Sequence, residues 1–183
     1  PPAQPRAGFA ISGAEGTRWY YQVHWREGNQ TAASEVGGFV TTRPAGADFN
    51  FVIEADPHLD EASSADVYGA QLAAMAANRP DFIVDLGDSS MVEKLSAGAD
   101  QARERNHMLR SWWDNIGGTI PFFMVLGNHD GEYGWKYKGP AITPDAARVM
   151  RQGIFPNPVP SSGAFYSGLS DTTYAFTWGD ALL

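Results

Sequence analysis

Three apolar runs dominate the hydropathy pattern of the chain, and each stops abruptly at polar residues of a particular kind. Phe49–His58 (FNFVIEADPH) closes on Asp-x-His, Asp81–Asp88 (DFIVDLGD) on Gly-Asp, and Ile120–Asp130 (IPFFMVLGNHD) on Gly-Asn-His-Asp. Near-continuous apolar runs of this length mark strands buried on both faces, as in a parallel sheet. Between the first two runs, Glu61–Asn78 carries Tyr68, Leu72 and Met75 at i, i+4 and i+7, with Ala filling the face between them. That spacing predicts a helix, which Arg79-Pro80 ends. A second helix is predicted over residues 98–116, with Leu109, Trp112, Trp113 and Ile116 on one stripe and Gly117-Gly118 as its stop. The order β-α-β-α-β predicts an α/β domain whose parallel sheet is covered by helices.

Residues 9–42 have a different period. Trp19, Tyr21, Val23 and Trp25 alternate with Tyr20, Gln22, His24 and Arg26, the two-residue repeat of a half-buried strand. Glu27–Gln30 is a turn signal, and Glu35–Thr42 (EVGGFVTT) is a return strand. Three short strands at most are too few for a self-sufficient sandwich. Residues 1–45 are therefore expected to be the C-terminal part of an immunoglobulin-like or fibronectin-like all-β domain. Arg43–Asp48 (RPAGAD) links it to an α/β domain over residues 46–183. Beyond the third run, Gly131–Pro140 is an aromatic, Gly-rich loop whose Tyr133, Trp135 and Tyr137 either line a cleft or pack the loop. Pro144–Gln152 is a short helix with Pro in its first turn, Gly153–Thr172 a loop, and Thr173–Trp178 the start of another strand. An apolar strand begins again at Ala181-Leu182-Leu183, so both ends are expected to continue in a longer protein.

Composition narrows the chemistry. A formal net charge of -8 argues against binding a nucleic-acid backbone by charge, because that binding works through Lys and Arg. It leaves phosphorylated small molecules open, since a bound metal ion can be the largest charge in a site. There is no cysteine to serve as nucleophile, thiolate ligand or disulfide partner. No apolar run approaches the roughly 20 residues needed to span a bilayer.

In open parallel sheets, sites form beyond the carboxyl ends of the strands, so the three polar closures are expected to converge. Asp56, His58, Asp88 and Asn128 are oxygen and nitrogen donors suited to hard or borderline metal ions. Asp56 and His58 can reach one cation, Asp88 can place one oxygen on each of two, and Asn128 can offer an amide oxygen to the second. Two ions about 3.5–4 Å apart can hold a phosphate and share a hydroxide of lowered pKa. His129 then suits an acid or charge stabiliser at the leaving oxygen. Taken singly, each motif has a plainer explanation: strand-end carboxylates and imidazoles cap helices, and Gly-Asp is common turn chemistry. It is the order and context of the three together that favour metal. Asp85, Asp130 and Glu132 are read as capping or supporting carboxylates, and His24 and His107 as surface residues. Neither a Gly-x-Ser-x-Gly elbow nor a Gly-x-x-x-x-Gly-Lys phosphate loop is present.

The D-P-H, G-D and G-N-H-D motifs resemble those of the calcineurin-like metallophosphoesterases. The lead-in ending in FVTTRP is similar to the N-terminal domain of the purple-acid-phosphatase-like branch, and ADPHLDE and TYAFTWGDALL resemble its bacterial members. The resemblance implies the calcineurin-like α/β sandwich, of which the β-α-β-α-β half lies here. It implies hydrolysis of a small-molecule phosphate ester at two metal ions, iron, manganese or zinc, and a periplasmic or extracellular location. Two departures qualify it. True purple acid phosphatases have Gly where His58 stands and a Tyr where Met91 stands, so the resemblance implies no iron–tyrosinate chromophore here. The family also completes its metals with histidines from two later motifs. These would come from the remainder of the same chain or from a partner polypeptide completing the sheet. Without them the alternative is a non-catalytic binding or structural module with an incomplete site.

Overall fold

The computed structural model describes residues 13–59, 63–95, 98–132, 142–157 and 173–183. The three apolar runs become strands β5 (Phe51–Glu54), β6 (Phe82–Asp85) and β7 (Phe122–Met124), following four short strands: β1 (Arg18–Tyr21), β2 (His24–Glu27), β3 (Gln30–Ala33) and β4 (Gly37–Val40). Strands β5, β6 and β7 form one parallel sheet in chain order, with Phe51 opposite Phe82 and Ile83 opposite Phe122. Helix α1 (Ala65–Ala77) connects β5 to β6, and α2 (Ala99–Gly117) connects β6 to β7. Both lie where the spacing placed them. Helix α1 begins at Ala65 rather than at the expected Glu61, where the Ser64 hydroxyl accepts from the Val67 N–H and caps it. Helix α3 (Pro144–Ile154) carries Pro in its first turn, as expected, and Thr143 caps it.

The helices cover one face of the sheet. Tyr68, Leu72 and Met75 of α1 and Leu109, Trp113 and Ile116 of α2 pack with Ile83 and Met124 into one buried cluster. A hydrogen bond ties the helices together inside it, the Trp113 indole N–H donating to the Tyr68 hydroxyl at 2.8 Å. The other face is aromatic. Phe82, fully buried, is surrounded by the rings of Phe49, Phe51, Phe123, Phe176 and Trp178.

The flanking strands depart from the sequence expectation in two ways. The predicted strand through Trp19 and Trp25 breaks in the middle. Its halves pair separately, β1 with β4 and β2 with β3, all antiparallel. The break falls where Ser34 captures the chain: its hydroxyl accepts from the Val23 N–H, its own N–H donates to the Val23 carbonyl, and the Gln22 amide donates to its carbonyl. The apolar set of the alternation is not buried by these strands, and Val23 and Trp25 stay about half exposed at 53% and 51%. The expected turn does form, with Glu27 opposite Gln30 and Gly28 at a positive φ of 57°. Downstream, the expected 173–178 strand yields β8 (Thr177–Trp178), which makes a hairpin with β9 (Ala181–Leu182), continued by the paired Phe176 and Leu183 backbones, rather than joining the β5-β6-β7 sheet. Its turn is held from outside. The Gly179 N–H donates to the Thr42 hydroxyl, and Asp180 accepts from the Gly46 N–H at 2.6 Å.

The lead-in is also docked directly on the α/β layers. The Gly38 N–H donates to the Gly118 carbonyl at the end of α2, at 2.7 Å. A Cβ on neighbouring Gly37 would lie 2.6 Å from that same oxygen, which is why two glycines stand here. Arg43 of the linker grips the buried Asp81 carboxylate, whose other oxygen takes the Asn50 N–H.

Phe82 carries the largest share of the aromatic face. Truncating a fully buried Phe removes its transfer energy and leaves a cavity, at a cost of about 3–5 kcal/mol. Phe82→Ala is therefore expected to lower the stability of the domain by that amount in urea unfolding, with Phe82→Leu losing clearly less.

Candidate metal centre

The parallel register sets Glu54 beside Asp85 as the last pair of β5 and β6. Beyond it the two loops continue side by side. Asp56 N–H donates to the Gly87 carbonyl, His58 N–H to the Asp88 carbonyl and Leu59 N–H to the Ser89 carbonyl, at 3.0, 3.2 and 3.2 Å. The Arg105 side chain, from α2, holds the Leu59 carbonyl. This irregular ladder turns the motif side chains toward one point, and it does so in a strained backbone. Asp56, His58 and Asp88 all have left-handed φ, at 56°, 45° and 55°, a conformation that non-glycine residues adopt at a cost and that clusters at functional sites.

One donor atom from each of Asp56, His58 and Asp88 lies within 4.8 Å of the others. His58 Nε2 sits 3.4 Å from Asp56 Oδ1 and 4.0 Å from Asp88 Oδ2. It is shielded from solvent and makes no hydrogen bond. A buried imidazole nitrogen left without a hydrogen bond between two carboxylates is the donor set expected around a divalent cation, so these residues fit one. Asn128 is exposed on the adjoining turn, between two residues whose amides are anchored. The His129 N–H donates to Asp88 Oδ1 at 2.7 Å, and its ring stands edge-on to that of His58 with centroids 5.8 Å apart. The structure thus brings Asp56, His58, Asp88 and His129 together. His24 and His107 are exposed, as expected. Tyr133, Trp135 and Tyr137 lie outside the described residues, as does most of the 153–172 loop.

Two glycines set the spacing. A Cβ on Gly127 would fall 2.2 Å from Asp88 Oδ1, and one on Gly87 would fall 2.1 Å from the Gly127 nitrogen. The Gly-Asp turn, unremarkable by sequence, is therefore in van der Waals contact with the Gly-Asn-His-Asp turn and needs both glycines.

Beneath the donors lies a layer of carboxylates. Asp85 is fully buried and accepts from the Gly87 N–H and the Ser89 hydroxyl. Burial, with the Glu54 carboxylate beside it, pushes its pKa well above the usual carboxylate range. Burial likewise raises Glu54 to about 7, against a hydrogen bond from the Tyr68 hydroxyl. Asp130 accepts from the N–H groups of Gly127, Asp88, Ser89 and Ser90. Burial raises its pKa, and those hydrogen bonds oppose the rise. Glu132 forms a buried ion pair with Arg151 of α3. Asp85 and Asp130 thus bond the turns that carry the donors, whereas the Glu132 contact is to α3. Glu54 is outside the motifs that the sequence picks out, and its one signal there is an acidic residue inside an apolar strand run.

A family model described as calcineurin-like phosphoesterase matches residues 49–180. The chain belongs to this family. Its parallel β5-β6-β7 sheet with helices is the α/β calcineurin-like fold, and the antiparallel strands before it are consistent with a preceding β domain. Among solved structures, the chain is similar to a purple acid phosphatase, PPD1, isolated from yellow lupin (Lupinus luteus) seeds, with a TM-score of 0.59 and 16% identity. The match covers 90% of this chain and 29% of that one, so the chain spans under a third of the neighbour's length. No curated protein matches the chain. For this calcineurin-like site, the glycine contacts make a direct prediction. Gly127→Ala is expected to displace the Asp88 carboxylate and weaken Mn²⁺ binding in calorimetric titration, whereas Gly118→Ala, where a Cβ meets open space on right-handed backbone, is expected to leave it unchanged.

Proposed function

We propose that the chain carries the N-terminal part of a metal-dependent phosphoesterase acting on a small-molecule phosphate ester at a dinuclear metal site. The observation that carries this is the convergence of Asp56, His58 and Asp88 on one point, with His58 Nε2 buried and making no hydrogen bond. In this reading residues 1–45 are the end of an all-β domain and 46–183 the first part of the catalytic domain. Asp56, His58 and Asp88 would hold metal in this reading, with Asn128 offering a further amide oxygen. Iron, manganese and zinc all suit this donor set. When bound, such ions polarise a phosphoryl oxygen and lower the pKa of water.

The chain's own residues do the rest. Asp88 Oδ1 already accepts the His129 N–H and keeps a second lone pair, so the carboxylate is oriented before any ion arrives. That same bond fixes the His129 backbone and presents its ring beside the donors, where the imidazole can give a proton to the leaving oxygen. The acidic chain offers no broad basic surface, which favours a small substrate held mainly by the metals. The family relationship supports the phosphoesterase class, and the likeness to purple acid phosphatases is compatible with a periplasmic or extracellular setting. The alternative is a non-catalytic binding or structural module with an incomplete site.

The test is hydrolysis of a chromogenic phosphomonoester and its diester with added Mn²⁺ or Zn²⁺, in the longest form of the protein that folds. Metal-dependent turnover is expected, and Asp88→Asn is expected to lose metal and turnover together. Turnover in Asp88→Asn equal to that of the parent would overturn the shared-ligand role, and absence of both turnover and metal binding in the parent would leave the non-catalytic module. His129→Ala is expected to keep its metal while kcat falls about 10²–10⁴-fold, the range for loss of a general acid. Loss of metal in that variant would make His129 a ligand instead.

A further inference from the structure

The two turns that bear the site exchange carboxylates. Asp88, on the turn after β6, accepts a backbone N–H from His129 on the turn after β7. Asp130, on the turn after β7, accepts backbone N–H groups from Asp88, Ser89 and Ser90 on the turn after β6, at 3.0, 3.2 and 3.4 Å. It also closes its own turn through the Gly127 N–H at 2.9 Å, and the Ser90 hydroxyl reaches it at 3.4 Å. Successive N–H groups pointing into one concavity form an anion cradle, of the type that elsewhere holds phosphates. Here the anion is a side chain of the protein, and it is buried, at 5% exposure. Its oxygens face N–H and O–H donors from both turns, so its position fixes the distance between them.

We infer that Asp130 is a positioning residue for the metal centre: its carboxylate, seated in the backbone cradle of residues 88–90 and 127, holds Asp88 and His129 at their working separation. Asp130 touches no substrate and supplies no atom to the metal in this role. It acts through Asp88, whose main chain it grips and whose side chain in turn grips His129. Asn in its place keeps the shape but brings one amide nitrogen, with its own hydrogens, against N–H donors that need an acceptor. The inference rests on the metal-site reading above for its consequence, though not for its geometry.

Two readouts on Asp130→Asn separate these. The first is amide hydrogen exchange in metal-free protein. The His129 amide bonds to Asp88 and not to Asp130, so a tenfold or greater acceleration of its exchange reports that holding Asp88 depends on Asp130. The second is Mn²⁺ affinity by calorimetry, expected to fall about 10–100-fold, as for other groups that orient metal ligands. Asp81→Asn serves as control. It removes a buried carboxylate beside Arg43 at the opposite end of β6, and is expected to lower the melting temperature without altering either readout. If Asp130→Asn does not fold, Asp130→Glu keeps the charge on a stem one methylene longer, and the same two shifts, smaller in size, are expected. A folded Asp130 variant with parental His129 exchange and parental Mn²⁺ affinity would overturn the inference, as would equal losses in Asp81→Asn. A parent protein that binds neither Mn²⁺ nor Zn²⁺ would sink the functional reading, while the exchange experiment would still decide the role of Asp130.

Discussion

Everything at the carboxyl end of the sheet depends on how closely two backbone turns can approach. Gly87 and Gly127 touch there with no room for a Cβ on either, and the turns that follow carry Asp88 and His129. The approach lets an Asp88 oxygen meet a backbone N–H at 2.7 Å, and it lets one buried carboxylate gather donors from both turns. Without it the strands could still pair, but their ends would splay and the donors would face water separately. Close contact between turns is a property of the pair, and neither glycine expresses it alone.

The strain at the site has its counterpart in the rigidity below. Asp56, His58 and Asp88 hold left-handed backbone, which persists only where the surroundings over-determine it. Those surroundings are the irregular ladder between the two loops, the grip of Arg105 on the Leu59 carbonyl, and the Asp85 carboxylate bonded to Gly87 and Ser89. The sheet beneath is locked on one face by α1 and α2 and on the other by the ring cluster around Phe82. Burying Glu54 and Asp85 side by side is unfavourable for their charged forms, and both are raised in pKa accordingly. A fold that keeps acids in such a place is ordering the loops above them at some cost in stability.

The lead-in strands are less self-contained. Their pairing is local, their apolar side chains are largely exposed, and their firm attachments are to the α/β layers through Gly38, Thr42, Arg43 and Gly46. The linker is thus no flexible tether. It is clamped at Arg43 by Asp81 and at Gly46 by Asp180.

By itself the amino-acid sequence determined the α/β order, both long helices and their buried stripes, the three strand ends and the family they belong to. These are legible because periodicity and strand-end motifs are local signals, each contained in a dozen or so residues. It also singled out Asp56, His58, Asp88, Asn128 and His129, and the approach of Asp56, His58, Asp88 and His129 follows once three parallel strands end on the same side, while Asn128 stays exposed on its turn. Only the tertiary structure decided what depends on pairing across the chain. Ser34 breaks the alternating strand at Val23, and the 173–178 segment turns back as a hairpin because Thr42 and Gly46 hold its turn. Glu54 and Asp85 meet because the register is Glu54 opposite Asp85. Asp130 faces the amides of residues 88–90 rather than solvent. Such contacts join residues some ten to more than a hundred positions apart, and they arise from close packing, which no short stretch of residues encodes.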